Sequence, residues 1–305
     1  MKETSEQHSF RSGYVALIGA PNVGKSTLMN RLLGEKISIT APKPQTTRNR
    51  ILGILTRPDY QAIFVDTPGI HRARDNFNKI LVDTALSTLN EVDVVCFVLE
   101  VPQSRRYLDS FILENLKKIQ APLILVINKV DRLPHKPDLL PLMDEYRTLM
   151  PFHAIVPTAA LTGDGVEDLL EEIVALLPRG PRYFPEEYLT DQPERFLVAE
   201  LIREKIFHLL HQEVPYAVAI TVDQFTEEPD QNRIDIEATI HVERDSQKSI
   251  LIGKQGQMIK EIGKQARADI EVLLGCHIFL GLFVRVSRDW RKNPRSLREF
   301  GYLQQ

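Results

Sequence analysis

The sequence is poor in cysteine. Cys96 and Cys276 are its only two, far apart and in or beside apolar runs. A disulfide framework or a cysteine-based metal site is therefore not expected, and buried, reduced thiols point to a reducing compartment such as the cytoplasm. Long hydrophobic runs are missing too, and none approaches the roughly 20 residues that a membrane-spanning helix needs. The first dozen residues, 1–12, are polar, include Glu3 and Glu6 and lack an apolar segment. They are expected to form a loose tail rather than a secretion signal or transit peptide. No internal repeat is visible, so nothing suggests a solenoid or propeller.

What is present fits a soluble globular protein with an ordinary core, since apolar residues make up 43% and charged residues 26%. A length of 305 residues makes two domains the natural expectation. The net charge of −3 conceals an asymmetry, because residues 245–300 hold 11 Lys/Arg against 6 Asp/Glu. A basic C-terminal segment on an otherwise acidic chain suggests a polyanion partner at one end only, with a solvated charged face as the plainer alternative.

The first region alternates strand and helix patterns. Residues 14–18 read as a strand and 27–33 as a helix stopped by Gly34, followed by a loop over 36–50. Strands are expected at 50–55, 61–65, within 92–101, at 123–127 and at 154–157. Helical spacing falls between them, as at Leu108, Ile112, Leu116 and Ile119, and again from Val166 to Leu177. That alternation argues for an α/β domain with a mostly parallel sheet over residues 13–178. Pro178, Pro181, Pro185 and Pro193 mark a linker at 179–194. A second domain is expected over 195–300: helix 195–211, strand 216–225, a turn at 227–230, an alternating strand around Ile234–Val242, two helical segments across 248–274 and a last strand from Ile278 to Val286.

The loop Gly19-Ala20-Pro21-Asn22-Val23-Gly24-Lys25-Ser26 lies between the first strand and Thr27, where the helix continues. Strand, glycine-bearing loop and helix form the setting of a phosphate cradle. Gly19 and Gly24 permit the curl, and loop N–H groups with the helix dipole face the anion. Lys25 is expected on the β- and γ-phosphates, and the Ser26 hydroxyl on Mg²⁺. Asp66-Thr67-Pro68-Gly69 follows a strand; Asp66 is expected to hold Mg²⁺ through its water shell, and the Gly69 N–H to meet the γ-phosphate. Asn128-Lys129-Val130-Asp131 follows another strand. The Asp131 carboxylate can accept the guanine N1–H and exocyclic amine, Asn128 can bond the base edge and the Lys129 stem can cover the ring, which argues for GTP over ATP.

In this order the motifs resemble the translation-factor class of P-loop GTPases, and Gln45-Thr46-Thr47-Arg48 with Asp66-Thr67-Pro68-Gly69-Ile70-His71 narrows the resemblance to the Era family of ribosome-associated GTPases, over residues 13–300. The resemblance implies that Thr47, with Thr46 as the alternative, contacts Mg²⁺ only when GTP is bound. It places the guanine-facing loop at Ala159-Ala160-Leu161, where alanine replaces the usual serine and its hydroxyl support is missing. Ras-like enzymes carry a water-orienting glutamine after the glycine matching Gly69; here stands Ile70, so slow intrinsic hydrolysis is expected. Asn22 resembles the asparagine that holds a monovalent cation, K⁺, near the phosphates in some related GTPases. Lys25, Thr47, Asp66, Gly69 and Asn22 are thus the candidate catalytic group, and Ser26, Thr47 and Asp66 the candidate metal group.

Ile252-Gly253-Lys254-Gln255-Gly256 joins two helical segments and carries Lys260 just beyond. Glycines that allow close approach, a lysine between them and flanking apolar spacing resemble an RNA-binding KH module. The order helix, strand, strand, helix, loop, helix, strand resembles the bacterial, type II KH arrangement, and Arg288 is a further candidate contact. The resemblance implies binding to single-stranded RNA at the 3′ end of small-subunit ribosomal RNA, a part in assembly and maturation of that subunit, and peripheral association with the inner face of the membrane. A monomer is expected. The rivals are a C-terminal domain that binds a protein, and a nucleotide-binding scaffold with negligible catalysis.

Overall fold

A computed structural model describes residues 10–73, 75–101, 110–148, 150–228 and 232–303. Contacts divide it into two compact units, one of residues 1–40 and 47–191, the other of 41–46 and 192–305.

The first unit is built on a six-stranded sheet. Its strands are β1 (Arg11–Ile18), β2 (Ile51–Thr56), β3 (Tyr60–Asp66), β4 (Val94–Glu100), β5 (Leu123–Asn128) and β6 (Ala154–Pro157), in spatial order β2-β3-β1-β4-β5-β6. All neighbours are parallel except the β2–β3 pair. β4 and β5 are buried almost end to end, as strands covered on both faces by helices must be. Helices α1 (Lys25–Leu33), α2 (Asn76–Thr88), α3 (Ser110–Leu116), α4 (Leu139–Arg147) and α5 (Val166–Leu176) complete the unit. Ile18, Phe97, Leu125, Val82 and Ile112 belong to one core cluster, and each such side chain contributes roughly 1.5–3 kcal/mol by leaving water. The parallel strands end at the same edge of the sheet, and the loops after β1, β3 and β5 emerge there together. That edge is where open α/β sheets bind ligands.

Several expectations change. β1 begins at Arg11, so Arg11 and Ser12 are strand rather than tail. The Pro-punctuated stretch is docked on the first unit: Gln61 accepts from the Tyr183 and Phe184 N–H groups, and the Ile54 N–H donates to the Leu189 carbonyl. Helix α4 has no counterpart among the helices expected from the sequence, because its single fully buried side chain, Tyr146, gives no readable stripe. Leu108 lies outside the described residues.

The second unit stacks helices on a three-stranded sheet. Helix α6 (Glu194–Leu209) precedes β7 (Ala219–Glu228) and β8 (Arg233–Val242), which pair antiparallel. Helices α7 (Asp245–Ile252) and α8 (Gln257–Leu274) lead to β9 (His277–Val286), parallel to β8 in the order β7-β8-β9, and α9 (Pro294–Glu299) follows. Residues 216 and 217 form a short 3₁₀ turn instead of strand, since Val214-Pro215 starts a helical turn. Glu227 and Glu228 continue β7 rather than turning; Pro229 and Asp230 lie outside the described residues. Trp290 is fully buried, donates to the Ala217 carbonyl at 2.9 Å and packs on Phe300 and Tyr302. Residues 41–46 belong here as well: Lys43 Nζ caps the last carbonyls of α6, Phe207 and Leu210, and buried Arg203 donates to the Thr46 carbonyl.

Candidate functional site

The phosphate loop leaves β1 with Gly19 at φ 151° and reaches α1 through Gly24 at φ 100°, both left-handed values that favour glycine. Asn22 is exposed and also left-handed, with φ 65°. Lys25 is buried, and its ammonium donates to the Gly19 and Ala20 carbonyls at 3.2 and 2.9 Å. Burial lowers its pKa to about 8, partly offset by the charge of Asp66. Thr27 continues the helix.

Three hydroxyls converge on one carboxylate oxygen. Asp66 Oδ2 accepts from Ser26 at 2.6 Å, Ser38 at 2.7 Å and Thr47 at 3.2 Å. Ser26 and Thr47 are themselves 2.9 Å apart. Thr46 turns away, its hydroxyl bonding the Lys43 carbonyl, so of the two candidate threonines Thr47 meets the site. Asp66 is fully buried; desolvation raises its pKa, opposed by Lys25 and by the three hydroxyls. Its other oxygen, Oδ1, is buried without a hydrogen-bond partner among the described residues. An orphaned carboxylate oxygen beside two hydroxyls is an all-oxygen donor set that suits Mg²⁺, which binds through few protein ligands and keeps its waters. The residues fit the ion.

The Asp66–Gly69 loop is pinned by Thr67 Oγ1 on the Leu17 carbonyl and by the Ile70 N–H on Gly19. A Cβ on Gly69 would lie 2.7 Å from Pro21, so the two loops touch closely enough to require glycine. Ile70 is 1% exposed and packs in the core, and so offers nothing to a water molecule.

The base side is organised by Asn128. Its amide donates to the Val23 carbonyl at 2.8 Å and accepts from the Ala160 N–H at 3.0 Å and Thr158 Oγ1 at 3.2 Å. Asn128 thus ties the phosphate loop to the base loop. Lys129 Nζ reaches the Asn22 carbonyl at 2.5 Å and pairs with Glu100. Asp131 is exposed, Leu161 is 72% exposed, and Ala159 is buried. Arg31 of α1 donates to the Ala160 and Leu161 carbonyls. Arg31, Thr158 and Ser38 belong to the site and were missed in the sequence. They fall outside every contiguous motif, and only the fold brings them in.

In the second unit, residues 253–256 turn between α7 and α8 with Gly253, Gln255 and Gly256 all at positive φ (70°, 52° and 76°). Nothing lies within 4 Å of a Cβ built on Gly256, so the loop is open on that side. Lys254, Gln255 and Lys260 are exposed, while Ile252 is half-buried. Beyond the loop a groove of about 630 Å³ runs between α8 and β9, with Lys260, Lys264 and Arg267 on one bank and Phe279, Leu280 and Leu282 on the other. Phe279 is 55% exposed. Lys264, Arg267 and Phe279 are additions to the predicted set, whereas Arg288 lines no part of the groove and faces Asp245 at 3.8 Å.

A family profile described as 50S ribosome-binding GTPase matches residues 14–129, and one described as KH domain matches 213–291. The curated GTPase Era of Geotalea uraniireducens (strain Rf4) is 56% identical over 97% of this chain and 99% of its own. The chain belongs to the Era family of GTPases. GTPase Era of Syntrophus aciditrophicus is 53% identical over 96% of this chain and 95% of its own. Two Era crystal structures superpose with a TM-score of 0.94 at 42% identity, each covering 97% of this chain and all of the other. One is a complex with MgGDPNP and nucleotides 1506–1542 of 16S ribosomal RNA, the other an Aquifex aeolicus Era variant bound to GDP·AlF₄⁻. The α/β P-loop GTPase domain and the type II KH domain that follows it are the Era arrangement.

Proposed function

We propose that this Era-family GTPase is a GTP-hydrolysing switch that binds single-stranded RNA at the 3′ end of small-subunit ribosomal RNA and acts in assembly and maturation of that subunit. The observation that carries the reading is the convergence of Ser26, Thr47 and Asp66 beside the Lys25 cradle, in a chain whose KH unit presents a basic, aromatic groove. Bound Mg²⁺ supplies charge neutralisation for the β- and γ-phosphates. Ser26 and Thr47 offer it hydroxyl oxygens, and Asp66 accepts from its water shell through Oδ1. Lys25 leaves the Gly19 and Ala20 carbonyls for the phosphates, and the Gly69 N–H meets the γ-phosphate. The Asp131 carboxylate reads the guanine edge, with the residues 159–161 loop closing over the base and the Lys129 stem beneath it.

Ile70, packed in the core, cannot take the part of the water-orienting glutamine, so slow intrinsic hydrolysis is expected. Asn22, exposed at the loop, would hold K⁺ and so supply the positive charge an arginine finger gives elsewhere. Equal hydrolysis rates in potassium and sodium buffers would overturn that role. In the KH unit, Ile252, Gly253, Lys254, Gln255 and Gly256 clamp the RNA backbone, Lys260 extends the clamp, and Phe279 offers a face for base stacking. Arg288 contributes to the basic surface outside the groove.

We place the protein in the cytoplasm as a monomer that engages the small ribosomal subunit, with peripheral association at the inner face of the membrane; no described helix is long and apolar enough to cross a membrane. The deciding experiment locks the protein with a non-hydrolysable GTP analogue, crosslinks it to cellular RNA and sequences what is held. Enrichment of the small-subunit 3′ end is expected, and an even spread over ribosomal RNA would count against the proposal. Replacing Lys254 and Gly256 by Asp should abolish capture while leaving GTP binding intact; retained capture would favour the protein-binding rival. A single-turnover hydrolysis assay with and without RNA separates enzyme from scaffold.

A further inference from the structure

Ser38 lies outside every sequence motif, yet it is fully buried and its hydroxyl donates to Asp66 Oδ2 at 2.7 Å. Its backbone is held by a residue of α1. Asn30 accepts from the Ile37 and Ser38 N–H groups at 3.0 and 2.9 Å and donates to the Ser38 carbonyl at 2.7 Å. Asn30 lies on α1, the helix that begins at Lys25 and carries Ser26, so one helix fixes both the cradle and Ser38. Ile37 and Ile39, the residues on either side of the serine, are buried as well.

The hydrogen bonding of Asp66 is lopsided. Three hydroxyls crowd Oδ2, which has room for about two good hydrogen bonds, while Oδ1 is buried with none among the described residues. A buried unpaired carboxylate oxygen is costly, and native structures keep one mainly where an absent ion or water completes it. Ser26 and Thr47 are the hydroxyls expected to turn their oxygens to the cation. Ser38 is not among them; Asn30 clasps its backbone on both sides, and its hydroxyl is left as the donor to Oδ2.

We infer that Ser38 is a positioning residue for the divalent-cation site: it holds Oδ2 of Asp66 so that Oδ1 stays presented to the ion's water shell. The inference rests on the reading of Asp66 as the water-shell ligand. Its test loads the full-length protein with a fluorescent GDP analogue and follows release across free Mg²⁺ concentrations and in EDTA. Calorimetric titration of Mg²⁺ into the GDP-loaded protein provides a second readout.

Ser38→Ala should raise the Mg²⁺ concentration for half-maximal slowing of release about tenfold, the loss expected for one hydrogen bond to a charged group. Release in EDTA should stay within about twofold of wild type. Unchanged Mg²⁺ dependence, or an equal acceleration in EDTA, would mean that the hydroxyl serves packing alone and would overturn the inference. Should Ser38→Ala fail to fold, Ser38→Cys, of similar shape but a weaker donor, carries the test with a smaller shift in the same direction. Asp66→Asn separates the two layers. If it leaves the Mg²⁺ dependence unchanged, the reading of the site itself falls; if it raises the requirement while the Ser38 variants do not, only the role of Ser38 falls.

Discussion

At the residue scale the nucleotide site assigns different work to groups that look alike in sequence. Thr46 and Thr47 are neighbours, but only the Thr47 hydroxyl reaches Asp66. Asn128 and Asp131 share a motif, but Asn128 is engaged with protein on three sides while Asp131 stays exposed. On the proposed reading, Asp131 carries base choice. Asp131→Asn should lower GTP affinity at least about a hundredfold and shift preference to xanthosine triphosphate, since sites that hydrogen-bond a substrate's polar groups discriminate on that scale or above. Competition binding with the two nucleotides checks it. Arg31 holds the Ala160 and Leu161 carbonyls and touches no expected ligand position. Arg31→Ala should weaken GDP binding about tenfold, one charge-assisted bond's worth, with an unaltered Mg²⁺ requirement, as release kinetics would report.

At the scale of elements, the end of β8 and its neighbours form a cluster sensitive to pH. His241 is buried between Thr221 Oγ1 and Ser287 Oγ, each at 3.0 Å, with the Phe300 ring 4.4 Å away. Burial lowers its pKa, with Arg285 acting the same way and Asp223 and Glu299 opposing. The unfolded chain therefore binds a proton that the folded one refuses. Stability of the KH unit is whole above the ordinary histidine pKa of about 6.5 and declines as pH falls through it. Unfolding followed at the single tryptophan, Trp290, which lies in this unit, should show that decline, and His241→Gln should flatten it. The motif loops were legible in the sequence because each is contiguous and follows a strand whose apolar run is unmistakable, as in residues 123–127. What was not legible depends on packing between distant elements. The groove bank of Lys264 and Arg267 acquires meaning only when α8 lies along β9, and Ser38 only when its loop folds back to β3. The docked residues 183–189 read as linker because proline marks irregular backbone whether it is free or fixed.

At the scale of the whole molecule, charge is unevenly shared, for an acidic chain carries its basic excess in residues 245–300. RNA affinity should accordingly fall steeply with salt, with a slope near −0.7 for each phosphate neutralised on a single strand. Replacing Lys260 and Lys264 by Gln should make that slope shallower by about 1.4 in a binding series between low and moderate salt, and GTP affinity should not change. The nucleotide site has its own long-range property, which follows from the one amide that grips both the Val23 carbonyl and the Ala160 N–H. On the proposed reading a nucleotide's two ends meet loops that share that splint, so each end should improve the seat of the other. Guanosine and pyrophosphate offered as separate fragments should therefore bind better together than either does alone. The site would sense an intact nucleotide as a whole, not as a base and a phosphate chain recognised apart.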